Sequence, residues 1–133
     1  MRRLALLCAL LSLAAVPASA QTSLWGVSQG NSKNVESTSA ANAAVSVTLT
    51  PGAATRGVVY MIAARCSAGT SSVIFKDGGT QAWSTDAAFI GTTTKVLTFS
   101  PGWTGSVGNA VVITLATCGG GNTGVLSVQA DIF

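Results

Sequence analysis

Asp77 and Asp86 are the closest-spaced carboxylates in a sequence that contains no histidine and only two other acids, Glu36 and Asp131. A glycoside hydrolase needs one such group as acid and a second as nucleophile or base. Asp77, however, leads an Asp-Gly turn, a setting in which the carboxylate bonds nearby backbone, and Asp86 follows Ser84-Thr85 in a loop with no supporting motif. Gly119-Gly120-Gly121 offers no phosphate cradle either, because neither a helix signal nor Gly-Lys-Ser/Thr follows it. No catalytic residue, cofactor or metal site is expected.

The thiols are the other reactive groups. Cys8 lies within the first twenty residues, leaving Cys66 and Cys118. A thiolate nucleophile needs a basic partner, which a chain without histidine lacks. Two thiolates also fall short of a four-ligand zinc site. Each cysteine ends an apolar run and precedes a turn, so the pair reads as one disulfide joining two strand ends. Trp25, Trp83 and Trp103 remain as a stacking surface for a sugar ring. Trp83 falls in a hairpin and is expected in the core. Trp103, in the loop-like Pro101-Gly102-Trp103-Thr104-Gly105, and Trp25 are the candidate surface-contact residues.

Residues 1–20 have the form of a secretory signal peptide: Arg2-Arg3, an apolar run from Leu4 to Ala15, then Pro17-Ala18-Ser19-Ala20. Cleavage near Ala20 predicts a secreted, periplasmic or cell-surface protein, and an oxidising compartment suits the disulfide. No later run reaches the ~18 apolar residues of a spanning helix. The chain's formal charge of +3 falls to +1 once Arg2 and Arg3 leave with the leader. The remaining Lys and Arg residues are scattered singly, which speaks against nucleic acid as a partner.

Positioning these groups falls to strands. Residues 21–40 are polar and read as an arm or a weak first strand. From 41 to 133, strand-like runs recur at 43–49, 58–65, 72–76, 81–84, 95–100, 110–116 and 125–132, separated by Gly- and Pro-containing turns. Val45, Val47 and Leu49 alternate with Ser46, Thr48 and Thr50; Val125, Ser127, Gln129 and Asp131 alternate with Leu126, Val128, Ala130 and Ile132. Asp77-Gly78 predicts a hairpin with a primed turn. The expected fold is a single-domain, all-β antiparallel sandwich or jelly-roll of about seven to eight short strands.

The stretches 41–49 (ANAAVSVTL), 72–80 (SVIFKDGGT), 105–116 (GSVGNAVVITLA) and 119–128 (GGGNTGVLSV), taken in order, resemble small β-sandwich modules of structural proteins from tailed bacteriophages and prophages, such as tail-fibre and capsid-surface proteins. That resemblance implies a non-enzymatic, displayed protein that forms homo-oligomers, with a trimer as one form by analogy. The sequence departs from the family in carrying a leader, which fits a secreted or envelope-associated bacterial protein better than a virion component. The functional expectation is therefore an exported structural or adhesive protein making self- or surface contacts. The alternatives are a secreted carbohydrate-binding module with a glycan or cell-surface partner, or a fimbrial-type subunit. A minimal outer-membrane barrel is disfavoured by strands shorter than the ~9–11 residues that cross a membrane.

Overall fold

The computed structural model describes residues 33–133; the leader, Trp25 and the first part of the arm lie outside them. Eight strands follow in order: β1 (Lys33–Thr38), β2 (Val45–Leu49), β3 (Gly57–Cys66), β4 (Val73–Asp77), β5 (Thr80–Ser84), β6 (Lys95–Thr104), β7 (Val111–Leu115) and β8 (Gly124–Ile132). They form two four-stranded antiparallel sheets, β1-β8-β3-β6 and β2-β7-β4-β5. No helix occurs among the described residues, and none is therefore long and apolar enough to cross a membrane.

The strand order decides between the two expected architectures. β1 pairs with β8, β2 with β7, β3 with β6 and β4 with β5. The chain is thus one long hairpin, doubled at the β4–β5 turn and rolled into two sheets, which is the jelly-roll arrangement. Its centre is the hairpin signalled by Asp77-Gly78, displaced by one residue. Asp77 pairs with Thr80, and the two-residue loop is Gly78-Gly79, both with positive φ (57° and 91°), as a primed turn requires.

The inward rows supply the core. On β2 the expected alternation holds, with Val45, Val47 and Leu49 buried while Ser46 and Thr48 face solvent. Val59, Ile62 and Ala64 of β3, Val73 and Phe75 of β4, Val111, Ile113 and Leu115 of β7, and Leu126, Val128 and Ala130 of β8 meet them between the sheets. Ile90 plugs one end from the β5–β6 crossover, through a bridge to Ser71. The alternation expected for β8 breaks at its last residues: Asp131 is buried and Ile132 half-buried. Asp131 stands opposite Val58, itself buried, just before β3 bulges at Tyr60. Burial, and then the Asp131 charge beside it, raise the Tyr60 phenol above its ordinary range.

β1 arises within the segment expected to be a polar arm or weak strand. Its six residues pair in unbroken register with β8, although only Ser37 of the six is even half-buried. Backbone hydrogen bonds to a strand already in the core hold it, so an apolar row of its own is not needed.

Candidate functional site

The disulfide forms as expected between Cys66, at the end of β3, and Cys118, just after β7, with Cα atoms 5.7 Å apart. It links one sheet to the other at one rim. Both cysteines are buried, and a side chain at Gly124 would press on Cys118 Sγ and on Leu115. Neither sulfur is free for chemistry.

Asp77 and Asp86 are not brought together. They stand at opposite ends of the β4–β5 hairpin, separated by a distance on the order of 15 Å at the usual strand rise, beyond the reach of a carboxylate pair. The Asp77 side chain also departs from the expected local turn bond. Its Oδ2 instead accepts from the Ser106 backbone N–H at 3.0 Å and the Ser106 hydroxyl at 2.6 Å, tying the hairpin to the β6–β7 loop. Oδ1 is shut from solvent and makes no well-formed hydrogen bond, although the Asn109 amide lies close enough to favour the charge. The Ser106 hydroxyl is the main cause that holds this carboxyl below its ordinary range; burial opposes it, and the Ser106 N–H and Asn109 add to it.

Because the folded-state value is depressed, this contribution is fully present above the ordinary carboxylate range and is lost as pH falls from there through the lowered folded-state value. Asp77→Asn is expected to cost about 1 kcal/mol at neutral pH, a modest figure for a charged hydrogen bond that borders solvent. The deficit should be smaller at pH 3 than at neutral pH. Urea unfolding of both proteins at the two pH values checks this, and an equal deficit at both would refute it. Among the described residues, no group of three or more His, Cys, Asp or Glu could hold a metal ion.

Trp103 lies in β6 itself and not in a loop. The strand continues through Ser100-Pro101, a cis peptide, and through Gly102. A bulge opposite Tyr60 absorbs residues 99–102, since Val59 pairs with Trp103 while Met61 pairs with Thr98. Only glycine fits at 102, where φ is +132° and a Cβ would come within 2.7 Å of Val58. The Trp103 ring turns inward against Phe75, centroids 5.0 Å apart. Trp83 and Phe99 meet Phe75 edge-on at 5.1 and 5.5 Å, and meet each other at 5.7 Å. This aromatic cluster spans the gap between the two sheets on the β5/β6 side, with its rings engaged on one another instead of forming a flat platform.

The four outer strands differ in how they meet solvent. β6 begins with Lys95 and carries a bulge and Pro101; β5 is bulged between the partners of Phe75 and Lys76. β1 carries Lys33 and Glu36. Charges, proline and bulges are the devices that stop an outer strand from pairing with another chain. β2 has none of them. It is regular, pairs only with β7, and lies in a stretch without a charged residue from Ser37 to Thr55. Beside it, on the same side of the sandwich, β1 leaves Val35 38% exposed. Sequence reasoning missed this edge because strand order was not legible; the uncharged run was the available signal.

The class of protein that this geometry defines is a disulfide-pinned jelly-roll with one unguarded outer strand. No protein family, no curated protein and no solved structure matches the chain.

Proposed function

We propose that this chain is an exported, non-enzymatic structural or adhesive protein that works through contacts with copies of itself or with a surface. The observation that carries this reading is the β2 edge, uncharged and unguarded while the three other outer strands are blunted. Export is supported by the leader-like first twenty residues and by the disulfide, which persists in oxidising compartments. A contact role is supported by the use of the acids in the fold: Asp77 is bonded by Ser106, and Asp131 is buried beside Tyr60. Jelly-rolls also occur in capsid and lectin domains. That agrees with the resemblance to phage surface modules, as an analogy of architecture.

The test compares the purified protein with Thr48→Lys on β2 and Thr98→Lys on β6, both exposed positions. Light scattering over a concentration series reads self-association, and co-sedimentation with intact bacterial cells reads surface retention. At least one of these should be present in the unaltered protein, abolished by Thr48→Lys and kept by Thr98→Lys. A protein that neither associates nor is retained, or that is indifferent to both substitutions, would overturn the proposal.

A further inference from the structure

We infer that the occupant of the β2 edge is the β2 strand of a second copy, paired antiparallel across a two-fold axis near Val47. This deepens the reading above and rests on it.

The register follows from the strand. β2 offers five residues, and a two-fold axis must bring residues of the same face together, because successive side chains point to opposite faces. Complete overlap therefore sets Val47 against Val47, Val45 against Leu49 and Ser46 against Thr48 of the other copy. The β2-β7-β4-β5 sheets of the two copies would become one eight-stranded sheet, with the apolar row of β2 continuous across the junction and the hydroxyl row of Ser46, Thr48 and Thr114 on the outside. Ser46 and Thr114 already share a hydrogen bond at 2.8 Å, so this outer row is ordered in the single copy.

Charge permits the arrangement. No like charges meet along β2, since none lies between Ser37 and Thr55. In the other sheet, the same axis brings β1 beside its own copy. Lys33 and Glu36 are three residues apart on β1 and so point to opposite faces, which leaves the approach of the two β1 strands without a cross-strand charge pair to favour or oppose it. Val35, exposed on this side, would be covered by the same contact. The opposite side of the sandwich is excluded as the pairing side by Lys95, Pro101 and the bulges of β5 and β6. One short strand pair with a few flanking side chains belongs to the small class of interfaces, so the dimer should be concentration-dependent and not permanent.

Cysteine cross-linking under mild oxidation tests occupant and register together. Ser46 and Thr48 are exposed, so substitutions there leave the core untouched. An equimolar mixture of Ser46→Cys and Thr48→Cys should give a covalent dimer, because directly opposed Cβ atoms are about 5 Å apart. Either variant alone should cross-link far less, its thiols being offset by two residues along the strand. Mapping the new bond by mass spectrometry, with Cys66–Cys118 intact, excludes exchange with the native disulfide. Thr48→Lys should raise the dimer dissociation constant on the order of tenfold in sedimentation equilibrium. A protein that stays monomeric at millimolar concentration, or single variants that cross-link as readily as the mixture, would overturn the pairing. If cell retention still depends on Thr48 while the mixture gives no dimer, the pairing fails and the contact role stands. If neither responds to Thr48→Lys, both fall.

Discussion

Replacing Cys66 and Cys118 together with alanine is expected to lower the unfolding free energy by about 4 kcal/mol, the loop-closure entropy for a bridge of this span. The bond spans 52 residues of sequence. That stretch contains β4, β5, β6 and β7, half of the strands and members of both sheets. Without the bond, the ends of β3 and β7 are held at this rim by packing and by hydrogen bonds, such as Cys66 N–H to the Gly91 carbonyl at 2.9 Å and the Ser71 hydroxyl to the Ala116 carbonyl at 2.8 Å. Domains of this size are stable by roughly 5–15 kcal/mol, so the loss takes a large share of the whole. Urea unfolding of the oxidised protein, the reduced protein and the double variant measures it. The two thiol-free or reduced states should agree within about 1 kcal/mol, which separates cross-linking from the packing of the sulfurs. A loss below about 1 kcal/mol would mean that the bridge does not hold the rolled hairpin together.

What the sequence disclosed and what it hid divide along local and distant interactions. The seven strands read from residues 43–132 all recur, because alternation such as Val45-Ser46-Val47-Thr48-Leu49 reports directly on one buried and one wet face. The Asp-Gly turn was legible for the same reason, being complete within a few residues. β1 was weakly legible, since an outer strand held by β8 needs no apolar row. The continuation of β6 past Ser100 was hidden by Pro101-Gly102, which reads as a turn unless Tyr60 of another strand is known to sit opposite the bulge. That continuation carried Trp103 from an expected loop into the aromatic cluster. The hold of Ser106 on Asp77 bridges 29 residues, and no periodicity announces such a bond. The nested strand pairing that makes the fold a jelly-roll is likewise non-local, as is the consequence that β2 ends up at an edge.

Phe75→Ala should be the most damaging single substitution, costing about 3–5 kcal/mol for a buried aromatic reduced to a methyl. Phe75 is fully buried at the middle of β4 and is the one ring that touches Trp83, Phe99 and Trp103 together. Edge-on and tilted contacts of this kind are worth roughly 0.5–1.5 kcal/mol each beyond the area buried. The three neighbours come from both sheets, two of them on β6, so they cannot close on the vacancy without shifting the sheets relative to one another. A large cavity term should therefore persist. Phe75→Leu keeps most of the volume while losing the ring contacts, and should cost about 1–2 kcal/mol. The difference between the two variants isolates volume from aromatic geometry. Trp83 and Trp103 both pack on Phe75, so their emission should shift to longer wavelength in Phe75→Ala even where the protein remains folded. Denaturant unfolding followed by this fluorescence measures both effects in one experiment. If Phe75→Ala costs no more than Phe75→Leu and leaves the emission unchanged, the cluster does not join the sheets, and the β5/β6 side must be held by its backbone alone.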